Sequence, residues 1–260
     1  MTDPARFHGG SVTVVAREFH RERPGRNPAC YPSLLPMPTP PNPHSAEDAT
    51  FDAVYPAAIQ AISRRFWTPV AVARRAAALL QKAGVRTVLD VGSGVGKFVL
   101  VAAGEAPELQ LVGVEQRGAL VEIARQAQAR LGVPNARFQV GDVTEIPWRE
   151  FGGLYFFNPL EENLFTDGGQ IDDSVELTQS RFFRDVLRFE GALRTAPLGM
   201  TVVTYHGMSG RMPACFELAE KEQAGSDWLR LWVKTREDNG EFIHEVGDRV
   251  VLQLVGGAVA

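Results

Sequence analysis

A chain of 260 residues, 45% hydrophobic and 22% charged, holds enough apolar material for one sizeable globular domain with an appendage. Its formal charge of −4 argues against a broad electrostatic grip on nucleic acid or on an anionic membrane. Cys30 and Cys215 are far apart, with no CxxC or Cys/His cluster around either, so neither a disulfide framework nor a metal site is expected. No apolar run is long enough to span a bilayer and no basic start is followed by a continuous apolar segment, which makes a soluble cytoplasmic protein the expectation.

Nine of the 17 prolines fall within the first 43 residues, densest in "PSLLPMPTPPNPH", where each fixes φ and removes a backbone donor. Residues 1–45 therefore read as a proline-rich, largely irregular arm, with room for one short strand in "SVTVVAREF" (11–19) and a cluster of Arg17, Arg21, Arg23 and Arg26. Residues 46–260 form the main domain. "TPVAVARRAAALLQKAG" reads as a helix with Thr68 as N-cap, Pro69 at its first position and Gly84 ending it.

Short apolar runs follow in order: "TVLDVG" (87–92), "LQLVGVE" (109–115), "ARFQVGD" (136–142), "GGLYFFN" (152–158) and "GMTVVTYH" (199–206). Their β-branched and aromatic content marks buried parallel strands, and the helical segments between them have the length of crossovers. In the last crossover, Phe182, Phe183 and Phe189 are spaced for the core face of an amphipathic helix. "CFELAEKE" and "WLRLWVKT", separated by a turn that includes "AGSD", read as an antiparallel hairpin at one edge. The fold class is α/β: a doubly wound, mostly parallel seven-stranded sheet with an antiparallel C-terminal hairpin. In such a sheet ligands bind beyond the carboxyl ends of the strands, at the switch point.

The first strand-to-helix turn is "VLDVGSGVGKFVL" (88–100). A phosphate-binding P-loop would need glycine where Val91 stands and a hydroxyl where Phe98 stands. The dinucleotide pattern would need glycine at Lys97, which disfavours a nicotinamide cofactor and leaves it as a third reading. What remains is Asp90, Gly92, Gly94 and Gly96 in an acid-x-Gly-x-Gly-x-Gly turn that also contains Ser93. With Glu115 and Asp142 at the ends of the next two strands, this resembles the class I S-adenosylmethionine-dependent methyltransferases over roughly residues 66–206.

The resemblance implies S-adenosyl-L-methionine as the cofactor. On it, the glycines would let the backbone bend beneath the methionine end with no Cβ in the way, and Asp90 would orient that end through the turn and bound water. Glu115, followed by Gln116, would accept from the ribose hydroxyls, and Asp142 with the Val143 amide would meet the adenine. "FWTP" matches the upstream element that touches the cofactor's carboxylate, making Thr68 a second candidate contact.

"LYFFNPLEENL" delivers Asn158 and Pro159 where acceptor chemistry belongs. It resembles the Asn-Pro-Pro-aromatic motif of amine methyltransferases, in which an amide oxygen and a backbone carbonyl hold the acceptor nitrogen, a task of positioning. Leu160 and Glu161 replace the second proline and the aromatic, so a stacking surface would have to come from Tyr155, Phe156, Phe157 or Phe165. "DVGSGVGKFVLVAA" with "GVE" is also locally similar to the non-SET histone-lysine methyltransferases, on which likeness Asn158 would line a lysine channel. His206, after the fifth strand, is a candidate base, and Glu161, Glu162 and Tyr205 are further acceptor-side candidates. The acidic Glu161, Glu162, Asp167, Asp172 and Asp173 are spaced to attract a cation or to form a solvated loop.

The expected function is methyl transfer to an amine or hydroxyl of a protein lysine or a small molecule. A non-catalytic cofactor sensor or partner subunit, and a nucleic-acid amine methyltransferase, are the alternatives.

Overall fold

The computed structural model describes residues 45–165, 169–246 and 249–253, all within the second of two units, Pro36–Ala260. The arm expected over 1–45, with Cys30, the strand at 11–19 and the arginine cluster, lies outside the described residues except for Ser45, and so does Asp167.

Three helices precede the sheet: α1 (Ala46–Asp52), α2 (Ala57–Phe66) and α3 (Val70–Lys82). Ser45 and Asp48 close a reciprocal capping box on α1. On α3 the expected cap is displaced by one residue. Pro69 is the N-cap and offers no side-chain bond; the Val70 amide is instead taken by Asp48 Oδ1, 2.8 Å away on α1. The Thr68 hydroxyl turns inward to the Tyr155 hydroxyl at 3.0 Å. Gly84 ends the helix at φ 76°, as its lack of Cβ permits.

Next come β1 (Thr87–Val91), α4 (Lys97–Glu105), β2 (Gln110–Glu115), α5 (Gly118–Leu131), β3 (Ala136–Val140), β4 (Gly153–Phe157), α6 (Gln179–Arg194), β5 (Thr201–Tyr205), β6 (Phe216–Ala224) and β7 (Asp227–Lys234). The sheet order is β3-β2-β1-β4-β5-β7-β6. The first five strands pair in parallel, and β7 joins β5 and β6 antiparallel. The chain reverses direction across the sheet between β1 and β4, where Asp90 is in register with Tyr155, so the crevice opens beyond the ends of these two strands. Both faces are covered, and β1 and β4 are correspondingly apolar, with Val88, Leu89, Leu154, Tyr155 and Phe156 wholly buried.

Two departures from expectation concern edges. In α6, Phe182 and Phe189 are buried, but Phe183 is 36% and neighbouring Leu187 66% exposed, so the aromatic run does not share one core face. A separate two-stranded sheet, β8 (Phe242–Val246) with β9 (Arg249–Gln253), follows the hairpin. No helix among the described residues is long and apolar enough to cross a membrane.

Lys97, the first residue of α4, is 2% exposed and fastens α1 to the sheet. Its Nζ lies 3.0 Å from Asp48 Oδ1 and 2.8 Å from Asp52 Oδ1, and donates to Ser63 Oγ at 3.3 Å. Burial pushes the Asp48 carboxyl up, but the Val70 amide, Ser45 and Lys97 outweigh it and hold it below its usual 3.8. A folded-state value below the unfolded one means stabilisation that is full above about pH 4 and lost as pH falls through the folded value. Lys97→Met leaves two buried carboxylates without their cation and should cost about 3–5 kcal/mol in urea unfolding at pH 7. That variant should regain stability on acidification to pH 5; a loss below about 1 kcal/mol would show that α1 is held by packing alone.

Candidate active site

The site begins at the turn between β1 and α4. Gly92, Gly94 and Gly96 have φ of 79°, 54° and 76°, a left-handed run open to glycine and strained for other residues. The space each Cβ would occupy is filled by protein. A side chain at Gly94 would collide with the Trp67 ring and one at Gly96 with the Phe138 ring, while Pro159 Cβ stands 3.1 Å from the Cβ position of Gly92. This corrects the expectation that a ligand takes the place of those side chains: backbone conformation and protein packing demand the glycines. The turn is tied to β2 by the Gly92 and Ser93 amides, which donate to the Val114 carbonyl at 3.1 and 2.9 Å.

Glu115 is joined to the same turn. Its carboxylate accepts from the Gly94 amide at 3.1 Å and from the Arg117 amide at 2.9 Å. Burial pushes the group up, against the opposing pull of those amides and the Arg117 charge. Asp90 is pushed well above the usual carboxylate range, by burial first and by Glu115 second. It borders a narrow crevice of about 30 Å³ with Thr68, Ser93 and Lys97, room for about one water.

A larger cavity of about 610 Å³ is lined by Gly92, Gly94, Glu115, Gln116, Asp142 and Val143 together with Asn158 and Pro159. Thr68 borders only the crevice, its hydroxyl bonded to Tyr155, so it is less exposed to the main cavity than its neighbour Trp67. Asp142 Oδ1 accepts from both the amide and the hydroxyl of Thr144 at 2.8 Å; these bonds and nearby Arg181 and Arg188 hold the carboxyl below its usual range despite burial.

His206 does not line the cavity. Its Nε2 pairs with Ser226 Oγ at 2.9 Å and its Nδ1 lies 3.5 Å from Asp227. Burial lowers its pKa, with Asp227 opposing. It braces the β5 end against the hairpin turn, and the expected catalytic placement is corrected accordingly. Tyr205 is wholly buried and also bonds Ser226. Of the four aromatics named as a stacking surface, Tyr155 and Phe156 are wholly buried, whereas Phe157 and Phe165 line the cavity with Phe66.

Two arginines escaped the sequence reading. Arg117, 4% exposed, clasps Glu162 bidentately at 3.0 Å and Asp172 at 2.9 Å. Glu162 in turn accepts from the Ile171 amide at 2.7 Å. Within the acidic pair, Glu162 is thus no free lure for a cation: it is committed to Arg117. Arg181 of α6 reaches Gln116 Oε1 at 2.7 Å and Asp142 at 3.5 Å, over the far end of the cavity. The only signal in the sequence was an arginine two positions after Glu115, and solvated arginines are too common for that to decide anything.

Residues 83–156 match the family model described as a methyltransferase domain. Over these residues the chain is similar to a methyltransferase domain. Among curated relatives, a tRNA (guanine-N(7)-)-methyltransferase of Microcystis aeruginosa is 41% identical over 59 residues, 23% of this chain and 28% of the relative. A release factor glutamine methyltransferase of Vibrio cholerae is 39% identical over 54 residues, 21% of this chain and 19% of the relative. The chain thus spans under a third of these relatives' length. Among solved structures, an RNA methyltransferase from Salinibacter ruber with S-adenosyl-L-homocysteine has a TM-score of 0.45 at 22% identity, covering 66% of this chain and 96% of that one. An O-methyltransferase from Bacillus cereus scores 0.49 at 13% identity, covering 72% and 91%.

The residues around this cavity fit S-adenosylmethionine: a buried acceptor, Glu115, lines a cavity of ligand size together with the glycine turn. Arg117→Met should free the loop that Glu162 and Asp172 anchor, at a cost of about 3 kcal/mol in unfolding free energy. The Ile171 amide should then exchange with solvent at least tenfold faster; unchanged exchange would mean that Arg117 does not hold the loop.

Proposed function

We propose that the protein is an S-adenosylmethionine-dependent methyltransferase acting on a nitrogen acceptor carried by a planar group. The observation that carries this reading is the joint between the Gly94 amide and Glu115, with Asn158 and Pro159 lining the same cavity. Glu115 would hold the ribose through charge-assisted bonds, Gln116, Asp142 and Val143 would flank the adenine, and the Asp90 turn would carry the methionine end. The cofactor would supply an electrophilic methyl group; the protein's own contribution is to orient the acceptor and exclude water.

Nitrogen is favoured over a hydroxyl by the cavity wall. Among the described residues lining it, the titratable side chains are arginines and carboxylates, with no imidazole, amine, thiol or phenol to deprotonate an alcohol. Phe66, Phe157 and Phe165 offer apolar faces to a planar acceptor. The names of the partial relatives, which specify guanine N7 and glutamine, agree with that preference without extending to this chain. A nucleobase is a second reading, supported by the Arg65 cation in the cavity lining, to which a phosphate would be attracted. The local lysine-methyltransferase likeness keeps a protein side chain as the other.

Calorimetric titration with S-adenosylmethionine, S-adenosylhomocysteine and NADH tests the cofactor. Both sulfur compounds should bind and NADH should not. Glu115→Ala, shown to be folded by circular dichroism, should weaken binding by about 1.5–3 kcal/mol, roughly ten- to a hundredfold. No binding to the folded wild-type protein, or a preference for NADH, would refute the reading. Transfer of radiolabelled methyl to bulk tRNA against ribosome-free protein extract would then separate nucleobase from protein acceptors. Asn158→Ala should abolish that transfer while leaving cofactor affinity nearly unchanged; a pure sensor would show no transfer in either form.

A further inference from the structure

The corner that holds Asn158 is strained. Asn158, His206 and Ser209 are the described non-glycine residues with positive φ, at 41°, 54° and 67°, and Asn158 and Ser209 touch each other. Such conformations persist only where surrounding contacts over-determine them. The Asn158 amide donates to the Gly207 carbonyl at 3.2 Å, and the Asn158 carbonyl accepts from the Glu161 amide at 3.2 Å. The carboxamide is held in one orientation. Ser209 Oγ accepts the Leu160 amide at 3.2 Å, so its own hydrogen is directed to Asn158 Oδ1 at 2.8 Å. The amide nitrogen is left as the donor end of the carboxamide, and its influence on Glu161 is to lower that carboxyl's pKa. The reverse orientation would set an amide oxygen against that carboxylate. Of the groups expected to hold the acceptor, the Asn158 amide oxygen already receives one hydrogen bond, from Ser209.

The carboxylates that line the cavity are Glu115, Asp142, Glu161, Glu162 and Asp185. Glu115 is engaged by the cofactor turn and Asp142 caps Thr144. Glu162 is clasped by Arg117, and Asp185 is bonded by Arg181 and Arg184. Glu161 differs: the influences on its carboxylate are burial, the neutral Asn158 amide and, through its field, Arg65. Burial raises its carboxyl above the usual range against the other two, which suits a group that gains a proton. It stands three residues after Asn158 and two after Pro159, whose ring packs on Gly92 of the cofactor turn.

We infer that the acceptor nitrogen carries hydrogen, unlike a ring nitrogen such as guanine N7, and that Glu161 receives this hydrogen, with Asn158 and Ser209 as the positioning pair at its side. The inference rests on the nitrogen-methyltransferase reading above. The nitrogen's lone pair forms the bond to the methyl carbon, the electron pair of the breaking carbon–sulfur bond stays with sulfur, and the N–H proton passes to a Glu161 oxygen. A carboxylate is too weak a base for an alcohol but adequate for a nitrogen made acidic by alkylation.

Sinefungin tests this without knowledge of the acceptor, because it carries an amine where the cofactor carries its methyl sulfonium, whereas S-adenosylhomocysteine carries neither. The affinities of both for wild type, Glu161→Gln and Glu161→Asp would be measured by calorimetry, with folding checked by circular dichroism. In Glu161→Gln the ratio of sinefungin to S-adenosylhomocysteine affinity should fall about tenfold or more, with S-adenosylhomocysteine itself changed less than about twofold. An unchanged ratio overturns the role of Glu161 and leaves the cofactor pocket standing. Failure of wild type to bind S-adenosylhomocysteine overturns the pocket, and the inference with it. Should Glu161→Gln not fold, the ratio in Glu161→Asp, where the carboxylate is withdrawn by one methylene, must fall for the inference to stand.

Discussion

Everything at this site depends on one backbone segment that has no side chains where side chains would collide. The three left-handed glycines let Trp67 close on Gly94, Phe138 on Gly96 and Pro159 on Gly92. Each contact brings in a different part of the chain: the segment before α3, strand β3 and the loop after β4. The turn thereby sets the distance between the cofactor side and the acceptor side of the cavity. Glu115 reinforces it from below, since its carboxylate is bonded to the Gly94 amide within the same buried cluster as Asp90. Burial raises the pKa of both acids, and Glu115 raises that of Asp90 further.

Charge then closes the site from three directions. Lys97, at the start of the helix that the turn feeds, draws α1 onto the fold through Asp48 and Asp52. Arg117, immediately beyond Glu115 and Gln116, draws in the loop bearing Glu162 and Asp172. Arg181 brings α6 over Gln116 and Asp142. All three cations pair across long sequence separations, and Lys97 and Arg117 do so out of water, where geometry rather than net charge governs their worth. The net charge of −4 accordingly says little about the cavity, whose wall alternates arginine and carboxylate.

The corner around Asn158 combines rigidity with a single differently placed acid. Strained backbone at Asn158 and Ser209, held by hydrogen bonds to Gly207 and Leu160, orients the carboxamide before any ligand arrives. Preorganisation of this kind suits in-line transfer, in which positioning contributes more than acid–base strength. Phe66 and Phe165, 6.4 Å apart with the Arg65 guanidinium 4.5 Å from the latter ring, give the mouth an apolar and cationic rim.

The sequence by itself determined the sheet, its crossovers, the terminal hairpin and the three strand-end acids, because period-two apolar runs, helix periods and glycine spacing are local properties. Asp90, Glu115, Asp142 and Asn158 follow directly from those strand ends. Only the tertiary structure decided which side chains meet. Thr68 left its cap for Tyr155 because Asp48, some twenty residues away, supplied the missing acceptor. His206 turned to Ser226 because the hairpin turn packs there. Glu161 and Glu162, adjacent and identical in the sequence, received opposite assignments because one faces Arg117 and the other the Asn158 amide. Pairing across such distances depends on where the folded backbone sets each carboxylate, which no local pattern encodes.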